Sequence, residues 1–364
     1  MATKESEQED EQEAEVGYIT QGTYEQLEDR HLRTMWDVHD QWGKPETDAE
    51  PHKWSWDEVK ESLYDVEAEM SFDDVPQGIR RSLALCAPGY DMTSETIAAF
   101  FQLVTAGEES GAHRHNVSAF RFVVDGDPEM YTVVEGEAFP MEEGDLVLTP
   151  NWTWHDHVNR SDNDAIWIDV LDWPFVGNGL KSPVFEQFRD YRQPIDKDDG
   201  FYNSQYGRMR PARQPESEFV DAPPYRFPYE DAYETLEQSV ADEDGDAFDP
   251  HNGYNMEYVN PATGEPPVLS TTSLRLQRVE ADMELERHRH NSMEFYYVLE
   301  GNGATEVGDQ IIEWSERDSF VVPRGYWHTH HAESDATLFV TSDDPIFDAF
   351  HLHREEAEDD EKLL

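Results

Sequence analysis

His113-Arg114-His115-Asn116, followed by Phe120-Arg121-Phe122-Val123-Val124-Asp125-Gly126, recurs as His288-Arg289-His290-Asn291, followed by Phe295-Tyr296-Tyr297-Val298-Leu299-Glu300-Gly301. Each copy has the same downstream companion: Pro150-Asn151-Trp152-Thr153-Trp154-His155-Asp156-His157 in the first half and Pro323-Arg324-Gly325-Tyr326-Trp327-His328-Thr329-His330 in the second. A His-x-His pair, an apolar strand closed by Gly, and a Pro-initiated turn ending in Trp-His form one module written twice. The pattern predicts a duplicated β-barrel with a metal-type histidine cluster in each half.

The intervening residues agree. Short apolar or alternating runs separated by Gly, Pro and Asp read as strands at Ser82–Cys86, Thr96–Thr105, Ala119–Val124, Met130–Val134, Leu146–Leu148 and Ala165–Leu171. They resume at Thr272–Val279, Phe295–Leu299, Ala304–Val307, Asp318–Val322 and Ala336–Val340. Regular spacing with tight turns indicates an antiparallel sandwich or barrel. Before the first barrel, Leu27, His31, Met35, Val38 and Trp42 recur at helical steps after a capping Thr23, and Val59, Leu63 and Val66 do so between Ser55 and Met70. The expected division is an acidic tail over 1–16, a helical region over 17–78, a first barrel over 79–178, a Pro-, Asp- and Tyr-rich connector over 179–268, a second barrel over 269–353 and a charged tail over 354–364.

With 81 acidic against 27 basic residues, the formal charge of −54 would cause severe self-repulsion in dilute buffer. The acids are spread through every segment, so the pattern is that of adaptation to a salt-rich interior that screens them. A surface of this sign repels phosphates, which argues against a nucleic-acid partner. Cys86 is the lone cysteine, which excludes an intrachain disulfide, and the Glu/Gln-rich start has no apolar signal region. A cytoplasmic protein with no membrane partner is expected.

Residues i and i+2 of a strand share a face, so His113 and His115 can point into one barrel, where His155 can return to supply a third imidazole. Such a set suits Fe, Zn, Cu or Ni and leaves open positions. No carboxylate accompanies it, because Ala119 stands where the second half has Glu294. The uncompensated charge favours an anionic, chelating ligand. The second half offers a fuller set, His288, His290, Glu294 and His328, as a possible second metal site. Arg121, six residues after His115, is read on the same face as the pair and suits a bidentate grip on a carboxylate. His157 is placed to act as a general base, and Asp169 to orient a ligand.

The stretch from Gly107-Glu108 through His113-Arg114-His115, Ser118–Gly126 and Gly144–His157 closely resembles the gentisate 1,2-dioxygenase family of bicupins, which includes salicylate and 1-hydroxy-2-naphthoate dioxygenases. The likeness runs from about Arg80 to Trp173 and, more weakly, over the second half. It implies an all-β bicupin of two fused jelly-roll barrels, and an Fe(II) enzyme that adds both atoms of O2 to a hydroxybenzoate between the carboxyl-bearing carbon and its hydroxylated neighbour. Gentisate would give maleylpyruvate. By the same resemblance His113, His115 and His155 hold the iron, while Arg121, His157 and Gln102 contact substrate. Trp167 and Asp169 line the cavity, Arg81 is a second carboxylate-binding arginine, and the assembly is a homo-oligomer, usually a tetramer. Asn116-Val117 departs from the family's usual Thr-Gln, and Ala98 and Phe100 fall at positions that vary with substrate, so a salicylate or hydroxynaphthoate substrate stays open. So do a different oxygenase acting at the second barrel and a non-catalytic bicupin that binds a small acid.

Overall fold

The computed structural model describes residues 19–35, 47–70, 81–207, 219–242 and 246–358. Helix α1 (Gln21–Asp29) lies in a small N-terminal unit, residues 1–44. Its cap is Thr20, whose hydroxyl accepts from the Thr23 N–H, rather than Thr23 itself. Positions 36–42 of the expected helix lie outside the described residues. The second unit, residues 45–364, holds both barrels. Its first helix, α2 (Trp56–Glu69), follows the periodic reading and buries Val59 and Leu63.

The first barrel uses β2 (Arg81–Ala84), β3 (Ala98–Val104), β4 (His113–His115), β5 (Ala119–Asp125), β6 (Asp127–Val134), β7 (Glu137–Met141), β8 (Leu146–Thr149), β9 (His155–Asn159) and β10 (Ala165–Leu171), after a short β1 (His52–Trp54) that joins the second barrel. The second repeats the plan with β15 (Ser273–Val279), β16 (His288–His290), β17 (Glu294–Glu300), β18 (Asn302–Val307), β19 (Gln310–Ser315), β20 (Ser319–Val322), β21 (His328–Ala332) and β22 (Ala336–Ser342). Among the described residues every pairing is antiparallel. With the further strands β11 (Phe185–Gln187), β12 (Tyr225–Phe227), β13 (Phe248–Asp249), β14 (Gly253–Glu257) and β23 (Glu355–Ala357), the first barrel's sheets run β12-β8-β5-β10-β3-β2 and β11-β4-β9-β6-β7, and the second's run β1-β20-β17-β22-β15-β14-β13 and β19-β18-β21-β16-β23.

The connector is therefore not a bare linker. It supplies edge strands to both barrels: β11 (Phe185–Gln187) on β4, β12 (Tyr225–Phe227) on β8, and β13 (Phe248–Asp249) and β14 (Gly253–Glu257) on β15. It also carries helices α3 (Phe201–Gly207) and α4 (Tyr229–Val240). After α5 (Asp344–Ala349), β23 (Glu355–Ala357) pairs with β16 inside the stretch that reads as a charged tail.

The near-continuous apolar runs of β5 and β17 follow from burial on both faces. Phe120, Phe122 and Val124 join Phe295, Tyr297 and Phe339 in a core shared by the two large sheets, where Phe122 stacks on Phe339 with centroids 4.1 Å apart. The alternate residues face inward: Val123 with Met130, Phe139 and Trp167 in the first barrel, and Tyr296 and Val298 with Trp314 and Phe320 in the second. Glycine ends each strand of the repeat for lack of room, since a Cβ at Gly126 would collide with the Met141 carbonyl and one at Gly301 with that of Asp335.

Candidate metal centres

In the first barrel, His113 on β4 lies directly opposite His155 on β9. The Pro-initiated turn delivers His155 because it hooks back on the His-x-His strand: Trp152, held at φ 64°, donates its N–H to the His115 carbonyl at 2.6 Å. The second half makes the same bond from Gly325 to the His290 carbonyl at 2.8 Å, with glycine at the left-handed position. The three rings converge, with centroids 4.3 Å apart for His113 and His155 and 4.9 Å for His115 and His155. One ligand atom from each lies within 4.8 Å of the others.

Hydrogen bonding fixes which atom that is. The Nδ1 atoms of His113, His115 and His155 meet the carbonyls of Gly111, Val117 and Thr153 at 3.1, 2.7 and 3.0 Å. A carbonyl only accepts, so each Nδ1 carries the proton and each Nε2 keeps a lone pair for the cluster. Three neutral imidazoles preset for Nε2 ligation fit a first-row divalent metal.

The inner face of the opposite sheet carries the other predicted residues in register. Trp167 pairs with Gln102, and Asp169 lies between Arg121 and Phe100. Arg121 is on β5, in a different sheet from His113 and His115, so it faces them across the barrel rather than sharing their face as the spacing suggested. It is buried, with Nε 2.9 Å from Asp169 Oδ1 and Nη1 donating to Thr149 at 2.7 Å. Burial pushes its pKa down, and the Asp169 charge opposes that shift. His157 is fully buried with its ring 4.9 Å from that of Trp167. Arg81 stands apart. In the β2–β3 register Ser82 is opposite Gln102, whereas Arg81 is opposite Leu103, and its guanidinium is taken by Glu108 and Thr105.

The second barrel repeats the triad. His288 lies opposite His328, and their centroids are 4.2 Å apart. His290 and His328 donate from Nδ1 to the carbonyls of Ser292 and Tyr326 at 3.0 and 3.1 Å. Here a carboxylate intrudes: Glu294 Oε2 lies 3.2 Å from His290 Nε2 and 3.6 Å from His328 Nε2, while Arg275 holds Oε1. Burial alone would raise the Glu294 pKa, but His290 and Arg275 together pull it well below the usual carboxylate range. Arg275 and Glu294 stand where the first barrel has Phe100 and Ala119, so both partners of this ion pair belong to the second barrel alone. The cavity over this cluster is about 130 Å³ and includes Asn252, Asn255, Arg275 and His353 in its lining.

Sequence reasoning missed Thr149, Glu108 and Arg275 as partners. The first two have no motif, whereas Arg275 was visible as a cation replacing Phe100, two strands from Glu294 with β22 between.

Residues 100–171 and 275–342 each match the cupin domain family. A gentisate 1,2-dioxygenase of Haloferax is 41 % identical over 90 % of this chain and 94 % of its own length. A 1-hydroxy-2-naphthoate 1,2-dioxygenase of Nocardioides is 32 % identical over 91 % of this chain and 86 % of its own. Among solved structures, salicylate 1,2-dioxygenase from Pseudoaminobacter salicylatoxidans with gentisate superposes with a TM-score of 0.82 at 28 % identity, covering 95 % of this chain and 97 % of that one. Fold and site together define an all-β bicupin with a histidine triad in each barrel. The chain belongs to the gentisate 1,2-dioxygenase family, a family of dioxygenase-type oxidoreductases.

Proposed function

We propose that the chain is an Fe(II)-dependent dioxygenase that converts gentisate (2,5-dihydroxybenzoate) and O2 to maleylpyruvate in the first barrel. The observation that carries this reading is the pairing of a carboxylate-free three-imidazole set with an opposing sheet face of buried donors. Among the described residues, Gln102 Nε2 and Trp167 Nε1 are buried without an acceptor, beside the Arg121 guanidinium. Buried orphan donors are costly, and a ring acid carrying several oxygens would satisfy them.

His113, His115 and His155 would hold the metal through Nε2. Bound there, ferrous iron supplies a Lewis-acidic, redox-active centre for the chelating acid and O2. Arg121 keeps Nε on Asp169 and Nη1 on Thr149, which aims its remaining N–H groups at a substrate carboxylate and fixes the ring's orientation. Gln102 and Trp167 donate to further ring oxygens, and His157 exchanges a proton with a ring hydroxyl. Arg81, held by Glu108 on the far side of its strand, is left out of the substrate clamp. The partner is a small aromatic acid. Gentisate is named above salicylate and hydroxynaphthoate because the Haloferax relative bears that name and matches over nearly the whole chain.

The second barrel fits a second metal at His288, His290, His328 and Glu294, a set that compensates more of an ion's charge. Its 130 Å³ cavity is well below the roughly 300 Å³ at which ligand pockets begin, which argues against a ring acid binding there. Metal analysis tests both assignments: two ions per chain are expected, with His113→Ala and His290→Ala each losing one. One ion per chain, lost on His113→Ala and retained on His290→Ala, rejects the second site. Ring cleavage is tested by oxygen uptake: iron-loaded protein should consume O2 with gentisate, and His113→Ala should not.

A further inference from the structure

The residues two places beyond the third histidine of each barrel, His157 and His330, occupy equivalent positions but sit in hydrogen-bond chains of opposite polarity. Thr132 is directly opposite His157 on β6 and β9, as Thr305 is opposite His330 on β18 and β21. Each threonine hydroxyl meets the Nδ1 of its histidine, at 2.8 Å and 2.9 Å. What flanks these pairs differs at both ends.

In the second barrel the chain is Trp314, Thr305, His330, Tyr296, Glu294. The Trp314 indole donates to the Thr305 hydroxyl at 2.9 Å, His330 Nε2 lies 3.2 Å from the Tyr296 hydroxyl, and Tyr296 donates to the Glu294 carboxylate. An ionised carboxylate only accepts, so the tyrosine proton is committed to Glu294 and its oxygen must accept from His330. His330 therefore carries its proton on Nε2, and its bare Nδ1 accepts from Thr305. The donor-only indole at the other end agrees with that direction.

In the first barrel both terminal groups are exchanged. Met141 stands in place of Trp314, and its sulfur only accepts, at 2.8 Å from the Thr132 hydroxyl. Arg121, a pure donor, replaces Tyr296, and Ala119 replaces Glu294. Thr132 has a single proton and two close neighbours. Were it given to His157, the Met141 sulfur would face an oxygen lone pair at contact distance. Given to Met141, it leaves the Thr132 oxygen to accept from His157 Nδ1–H.

We propose that the two barrels hold these histidines in opposite tautomers, so that His157 presents a proton-accepting Nε2 to the first barrel, with Thr132 and Met141 as its positioning residues. This rests on the ring-cleaving reading for its substrate. It resolves the role of His157 there: a ring O–H bond breaks, its electron pair stays on the oxygen, and the proton bonds to Nε2. The resulting imidazolium keeps its Nδ1–H on Thr132. His330, with Nε2–H directed at Tyr296, is unsuited to that task, which agrees with a second barrel built to hold rather than to turn over.

The test is two-bond ¹⁵N–¹H correlation on metal-free, ¹⁵N-histidine-labelled full-length protein at multimolar salt, with signals assigned by their loss in His157→Gln and His330→Gln. Nδ1–H is expected for His157 and Nε2–H for His330, and Met141→Leu should shift His157 toward Nε2–H. In steady-state assays Thr132→Val should lower kcat by roughly 100-fold with KM within about threefold, and Thr132→Ser should restore most of it. The same tautomer at both positions, or Nε2–H at His157 in a protein that turns over hydroxybenzoates, overturns the proposal. Opposite tautomers without turnover of any hydroxybenzoate leave the proton assignment standing and remove the substrate reading instead.

Discussion

The Arg121 side chain concentrates the demands on the first site, because it is buried, ion-paired to Asp169 and aimed into the same barrel as three neutral imidazoles. Arg121→Lys keeps the charge but loses the planar fork. We expect KM for the aromatic acid to rise roughly tenfold or more, since hydrogen bonds to charged groups contribute about 1.5–3 kcal/mol. An unchanged KM would place the carboxylate elsewhere. Asp169→Ala strands the buried guanidinium, and equilibrium unfolding should record a loss of about 3–5 kcal/mol, the range for a broken buried pair. A loss below about 1 kcal/mol would mean that the pair is not sequestered. The metal residues were legible because they repeat as a set, whereas the Arg121–Asp169 pair was not. Two charges on neighbouring strands of a chain this acidic give no sequence signal, and parity along the chain placed Arg121 on the face of the His-x-His pair although the two lie in different sheets.

At the scale of strands, the two barrels are tied by a reciprocal latch. Asp172, just after β10, accepts from the Ser118 N–H at 2.9 Å in its own barrel and from Thr271 Oγ1 at 2.8 Å in the other half. Asp343, just after β22, accepts from the Met293 N–H at 2.8 Å and from Thr96 of the first barrel. Each latch grips the residue just before β5 or β17, three places beyond the second histidine of its pair. Burial pushes the Asp172 carboxyl up to about 6 from an ordinary 3.8, despite its hydrogen bonds. A raised folded pKa favours the protonated native state, so this contribution is fully present below about pH 4 and is lost as pH rises through 6. Relative to the parent, Asp172→Asn should therefore gain roughly 3 kcal/mol between pH 4 and 7, read from unfolding midpoints across that range. Parallel profiles would contradict the shift. Strand existence was readable from the alternating runs, and β10 matches its predicted bounds, Ala165–Leu171. The edge strands β11, β12 and β23 were not, because a three-residue strand such as Glu355-Glu356-Ala357 has too few residues to show a period. Glu356 is buried and accepts from Arg289 on the strand it joins.

For the whole molecule, charge and duplication act together. The double-faced burial of β5 and β17 explains why a chain with mean hydropathy of −0.81 still builds a continuous inter-barrel core. The −54 charge is carried outside it, and the salt adaptation read from its even spread accords with the Haloferax relative. Among the described residues no helix is long and apolar enough to cross a membrane. The screening length falls from about 10 Å at 0.1 M salt to about 3 Å at 1 M, so the melting temperature should climb steeply with KCl over that interval. A flat or falling curve would mean that self-repulsion does not limit the fold. The central claim, a ferrous ion on His113, His115 and His155 serving an aromatic acid held by Arg121, is tested most directly by oxygen uptake. Anaerobically iron-loaded protein in multimolar salt should consume one O2 per gentisate and release a ring-opened product, and His113→Ala should do neither. Iron-loaded protein that consumes no O2 with gentisate, salicylate or hydroxynaphthoate would contradict it.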